Sequence, residues 1–124
     1  QTATPGETPF LIQQLVDNLE YRLENAATDE EKLESILDTH IQFERIHPFS
    51  EGNGRTGRVL MNYSLLQEGF PPLIIEKETK ATYIELLAKQ DLNGFMSFAN
   101  KILAKEQKRM QAFQNMDRDQ IKYE

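Results

Sequence analysis

Cysteine is absent from the 124 residues, which excludes a disulfide framework and any thiolate chemistry, and makes the cytoplasm the expected compartment. Positive charge is scarce as well. Fourteen Lys and Arg stand against 20 Asp and Glu, a formal net charge of -6 that repels a phosphate backbone over the surface as a whole, so nucleic-acid binding is disfavoured. No apolar run approaches the roughly 20 residues that a membrane span needs, and no basic-then-apolar segment at the N-terminus directs export. Internal repeats and low-complexity tracts are missing too. A chain of this length encloses one core and not two, so a single domain over 1–124 is expected.

What is present is helical periodicity almost from end to end. Leu11, Ile12, Leu15, Val16, Leu19 and Leu23 recur at three- and four-residue steps and predict a helix over about 9–24, with Thr8 and Pro9 as cap and first-turn pair. Thr28 and Glu31 form a capping box with an acidic first turn, opening a second helix that turns Leu33, Ile36, Leu37, Ile41 and Ile46 toward the core and ends at Pro48. A third begins at Gly54 or Arg55, carries Val59, Leu60, Tyr63 and Leu66 as its apolar stripe, and stops at Gly69 and Pro71-Pro72. After a short connector at Leu73 to Ile75, a fourth helix covers about 77–89 through Tyr83, Ile84 and Leu87. Asp91 then caps a fifth carrying Phe95, Phe98, Ile102 and Leu103. The fold class is therefore all-α, with a helical core over 9–104. The charged tail, 105–124, has Met110, Phe113 and Met116 at helical spacing and extends the last helix, docks on a partner or frays into solvent. Residues 1–9 are polar and turn-forming and read as the stump of a longer segment.

The chemistry is concentrated between the second and third helices, in His47-Pro-Phe-Ser-Glu-Gly-Asn-Gly-Arg-Thr-Gly-Arg58. Gly52 and Gly54 let the backbone turn its amides inward, and Gly54-Arg55 opens a helix whose first N–H groups have no internal partners, which makes an anion site. The Walker A pattern is absent. Arg55 and Arg58, three apart on one helix face, suit the distal phosphates of a triphosphate. Glu51 adds a carboxylate where magnesium could bridge to phosphate oxygens, and His47 can take a proton near neutral pH, as a base activating a hydroxyl must. These parts together describe phosphoryl or nucleotidyl transfer.

This segment resembles the signature of the Fic family, His-x-Phe-x-Asp/Glu-Gly-Asn-Gly-Arg-x-x-Arg, and matches it at every specified position. The resemblance continues from Leu11 to about Leu103, through the Gly69-x-Pro-Pro step and the Tyr83-x-x-x-Leu87 helix. It implies a helical bundle of the Fic type with the motif loop between two central helices. It also implies transfer of AMP from ATP to a Ser, Thr or Tyr hydroxyl of a target protein. On that resemblance His47 is the general base, Glu51 holds Mg2+, and Asn53 orients the α-phosphate. The amides of Gly52 and Gly54 line the anion hole, Arg55 contacts the distal phosphates, Arg58 pairs with the γ-phosphate, Phe49 anchors the loop, and Tyr83 either borders the adenine or is a core tyrosine. Fic domains place a β-hairpin flap before the first matched helix, of which Gln1 to Thr4 would be the remnant of one arm.

Several features are set aside. Ser64-Leu-Leu-Gln-Glu68-Gly69 fits the family's inhibitory motif by letter, but Glu68 lies ten residues from Arg58 on one helix, about 15 Å away, so inhibition is expected from sequence outside this chain or from a separate antitoxin-like protein. His40 reads as a structural core histidine, not a metal ligand. Asn62-Tyr-Ser64 is a glycosylation sequon by chance, mid-helix. Phosphate or other nucleotide transfer on the same loop is the nearer alternative, and a non-catalytic nucleotide-binding or interaction module the more distant one.

Overall fold

The described residues form five helices, three of which pack on the second. They are α1 (Thr8–Asn25), α2 (Asp29–Ile46), α3 (Glu51–Gln67), α4 (Lys80–Ala88) and α5 (Leu92–Lys122). The computed structural model describes residues 7–46 and 51–122, and no strand occurs among them, in keeping with the all-α reading. Helix α2 packs against α1, α3 and α5, and α4 packs on α5. Leu33, Ile36, Leu37, Ile41 and Ile46 are all buried on α2, as their spacing predicts, and the first four form one core cluster with Met61, Leu65, Leu73, Tyr83, Leu87, Phe95, Ala99 and Leu103 from the other elements.

Local sequence sets the helix ends. The Glu31 amide donates to Thr28 Oγ1 at 3.1 Å and the Glu31 carboxylate accepts from the Ala27 amide at 3.2 Å, so the capping box forms and fixes the start of α2. At α1 the cap falls on Glu7, one residue before the expected Thr8, with Pro9 in the first turn. Helix α3 ends in a Schellman turn. Gly69 adopts φ +89, its amide donates to the Leu66 carbonyl at 3.1 Å, and the Phe70 amide donates to the Leu65 carbonyl at 2.8 Å. Asn62 then clamps the connector, accepting from the Leu73 amide at 2.7 Å and donating to its carbonyl at 3.3 Å, so this sequon asparagine is occupied inside the fold. Helix α4 starts at Lys80, later than predicted, because residues 77–79 form a turn in which the Thr79 amide and hydroxyl both donate to the Glu76 carbonyl. It closes with Gln90 at φ 52, and Asp91 accepts from the Gly94 amide at 2.9 Å as the cap of α5.

Two expectations for α3 are corrected. The helix begins at Glu51, not at Gly54 or Arg55, so Glu51 to Gly54 are its first turn and not a loop. Glycine disfavours a helix interior by about 1 kcal/mol, but a carboxylate suits the positive end of the helix dipole, and Gly54 and Gly57 sit on the buried side where α3 approaches α2. The apolar stripe also faces the other way. Val59, Leu60, Tyr63 and Leu66 are 49% to 66% exposed, while Met61 at 3% and Leu65 at 0% make the core contact. The side of α3 bearing Gly54 and Gly57 is the thin one, and close approach of the backbones chooses it over the side with more apolar residues. Helix α5 runs on through the charged tail, where Met110, Phe113 and Met116 are exposed. No helix among the described residues is long and apolar enough to cross a membrane.

Candidate nucleotide site

The second half of the motif, Glu51 to Arg58, forms the first two turns of α3. Its first N–H groups have no acceptor one turn earlier within the helix and point along the axis out of its N-terminal end, a donor cluster suited to an anion. Arg55, exposed, and Arg58, half-buried, follow on the next turn. His47 and Phe49 lie outside the described residues. Glu51, Gly52, Asn53, Gly54, Arg55 and Arg58 are thus brought together at one end of one helix. Tyr83 is not beside them on the surface: it is on α4 with its side chain closed to solvent at 0% exposure.

Behind Arg58 lies a buried polar cluster. His40 Nε2 is 2.6 Å from the Tyr83 hydroxyl, and both rings pack against Phe95 with centroids 6.0 Å apart. Burial, helped by the Arg58 charge, pushes the His40 imidazole down to about 4, so it is neutral at physiological pH. The Gly57 carbonyl opposes that shift, although it makes no hydrogen bond of ordinary geometry with Nδ1, which has no partner. His40 is therefore a structural core histidine, as its position on α2 suggested.

Glu44, one turn further along α2, is 8% exposed, and neither of its carboxylate oxygens makes a hydrogen bond. Desolvation raises its carboxyl to about 7 against the opposing pull of Arg58. The carboxylate lies over the bare Cα of Gly57, where a Cβ would run into Glu44 and the Phe43 ring. Sequence reasoning passed over Glu44, yet its number carries a signal: 33, 36, 37, 40, 41 and 44 form an unbroken core-facing series on α2, so both polar members are placed inside by periodicity alone.

An apolar cleft of about 250 Å³ runs between α1 and α3, with Leu15, Leu19, Phe43, Leu60 and Tyr63 in its walls. No Lys or Arg lines it, so it is not the polyphosphate site. Glu68 pairs with Lys32 at 3.7 Å near the far end of α3 and does not approach Arg58. Among the described residues no group of three or more His, Cys, Asp or Glu could cage a metal. The motif supplies one carboxylate, Glu51, at the helix start. One carboxylate beside phosphate oxygens is the donor set that suits magnesium, which retains several waters.

The described residues form a helical bundle in which a glycine-bearing helix N-terminus carries two arginines on its next turn, and comparison with known proteins gives its kinship. Residues 1–65 match the Fic/DOC family profile. The chain belongs to the Fic/DOC family. It is 30% identical over 99 residues to Protein adenylyltransferase fic-1 of Caenorhabditis briggsae, covering 80% of this chain and 20% of that protein. It is 35% identical over 99 residues to Protein adenylyltransferase Fic of Drosophila willistoni, covering 76% and 19%. The crystal structure of a Fic domain containing signaling protein from Bacteroides thetaiotaomicron superposes with a TM-score of 0.72 at 27% identity, over 85% of this chain and 46% of that one. The chain thus spans about a fifth of the length of these curated relatives.

Proposed function

We propose that this domain transfers AMP from ATP to a Ser, Thr or Tyr hydroxyl of a target protein. The observation that carries the reading is the helix α3 start: an intact Glu51-Gly-Asn-Gly-Arg-Thr-Gly-Arg58 sequence folded so that anion-binding amides and both arginines meet at one helix end. The relatives bearing the name protein adenylyltransferase support it.

In the mechanism, the amides at the α3 start and Asn53 hold the α-phosphate, while Arg55 and Arg58 hold the distal phosphates. The target hydroxyl oxygen attacks the α-phosphorus in line, the bond to the β-phosphate oxygen breaks, and pyrophosphate leaves. His47 takes the hydroxyl proton. Glu51 would hold magnesium, whose charge would help neutralise the leaving group. The arginines neutralise the same charge, and half-buried Arg58 does so where water screens it less than at an open surface.

ATP labelled separately at the α and γ positions tests the assignment. Label from the α position in a target protein supports AMP transfer; label from γ alone marks phosphate transfer, and neither marks a binding module. His47→Ala should lower transfer by roughly 10² to 10⁴ while ATP still binds. Equal labelling by variant and parent removes His47 from the mechanism. Inhibition by sequence outside this chain or by an antitoxin-like protein would show as loss of labelling on adding that component.

A further inference from the structure

From Ala104 to Met116, past buried Leu103, only Glu106 of helix α5 is even partly covered. That is about 20 Å of helix at 1.5 Å per residue. A helix in a protein draws most of its stability from packing an amphipathic face, and this stretch carries such a face exposed, with Met110, Phe113 and Met116 at three-residue steps. Its charge is opposite to that of the protein as a whole. Between 101 and 116, Lys101, Lys105, Lys108 and Arg109 stand against Glu106 alone, in a chain of net charge -6. The same molecule holds a surface of the complementary kind. The apolar cleft between α1 and α3 is open along Val16, Leu60 and Tyr63, all exposed. Its one charged lining residue is Glu20, and Asp17 and Glu24 share that exposed stripe of α1 at three- and four-residue steps. Arg22, the only base of α1, is paired with Asp38 at 2.8 Å and does not offset them.

We propose that the exposed half of α5 in one copy seats in the α1–α3 cleft of a second copy, and that the exchange is reciprocal, giving a two-fold dimer. Phe113 and the two methionines fill the apolar cleft, and the flanking lysines meet the carboxylates of α1. Each chain carries both halves of the contact, so a two-fold arrangement uses each half twice and closes the assembly at two copies. A chain cannot fill its own cleft this way, because α5 is one continuous helix to Lys122 that packs on α2 and α4. An anionic bilayer would attract the same lysines, but it would repel the acidic remainder of the chain and leave the cleft uncovered.

The test is sedimentation velocity of the 124-residue chain over a range of concentrations, at low and at high salt. A concentration-dependent dimer is expected, and weaker association at high salt, where exposed charges are screened. Phe113→Glu on the extension and Leu60→Glu in the cleft should each raise the dimer dissociation constant by about tenfold or more, and both side chains are exposed, so neither change reaches the core. Lys105→Glu with Lys108→Glu should weaken the dimer, and adding Asp17→Lys with Glu20→Lys to the same chain should restore it. A monomer at every concentration overturns the proposal, and so does a monomer that binds phosphatidylserine vesicles, which would make a membrane the partner. A dimer sensitive to Phe113→Glu but not to Leu60→Glu means that two extensions pair with each other, and the reverse pattern means that two clefts do; either result overturns it. So does a chain with all four charges reversed that associates no better than the chain with two.

Discussion

Replacing Glu44 by Gln should stabilise this protein at alkaline pH and leave its stability unchanged near pH 4.5. The carboxyl is buried without a hydrogen bond, and its folded value of about 7 lies above the ordinary 4.5. A raised value means that the stability tied to the protonated carboxyl is fully present below pH 4.5 and lost as pH rises through about 7. The loss amounts to about 3 kcal/mol. His40 has the opposite sign: with its value pushed from 6.5 down to about 4, its contribution is present above pH 6.5 and lost as pH falls through about 4. Between pH 4.5 and 6.5 the two slopes therefore cancel in the parent. Tyr83 from α4 belongs to the same buried cluster, and burial holds its phenol up at about 12, outside this window. Glu44→Gln removes one arm of the balance. Its unfolding free energy, from urea denaturation at fixed temperature between pH 4 and 8.5, should climb from pH 4 to 6.5 and then level off, ending about 3 kcal/mol above the parent at pH 8. Parallel curves for parent and variant, or a variant less stable at pH 8, would refute the assignment of a strained carboxyl to this site.

Two further outcomes test the local structure. Gln90 closes α4 in the left-handed region at φ 52, so Gln90→Gly should raise stability by about 0.5 to 1 kcal/mol, readable as an increase in Tm; a decrease would mean that the Gln side chain holds the turn. Asn62→Ala leaves the amide and carbonyl of buried Leu73 without their partner and should cost about 1 to 3 kcal/mol in chemical denaturation, whereas a change within a few tenths would dismiss the clamp.

Helix number and most helix boundaries were legible in the sequence because caps and stops are local chemistry. Thr28 with Glu31, Gly69, and Asp91 each act within a few residues of themselves, so reading them needs no knowledge of the rest of the chain. The face of α3 was not legible in that way. A count of apolar residues favours Val59, Leu60, Tyr63 and Leu66, but which side packs was decided by where two backbones can approach, and that is a property of α2 as much as of α3. The motif itself announced its chemistry through residue types, and the structure adds that Glu51 to Gly54 already belong to the helix. The buried polar cluster was invisible for a third reason. His40, Glu44 and Tyr83 come from two other helices, up to 43 positions apart, and only folding makes them neighbours.

The contact between Glu44 and Gly57 reaches beyond this one chain. A single parcel of space between two helices can be filled from one side or from the other, never from both. Descendants that acquire a bulkier residue at 57 should therefore be found with a shorter one at 44, so the spelling of the signature at that unspecified position is written jointly with a residue outside it.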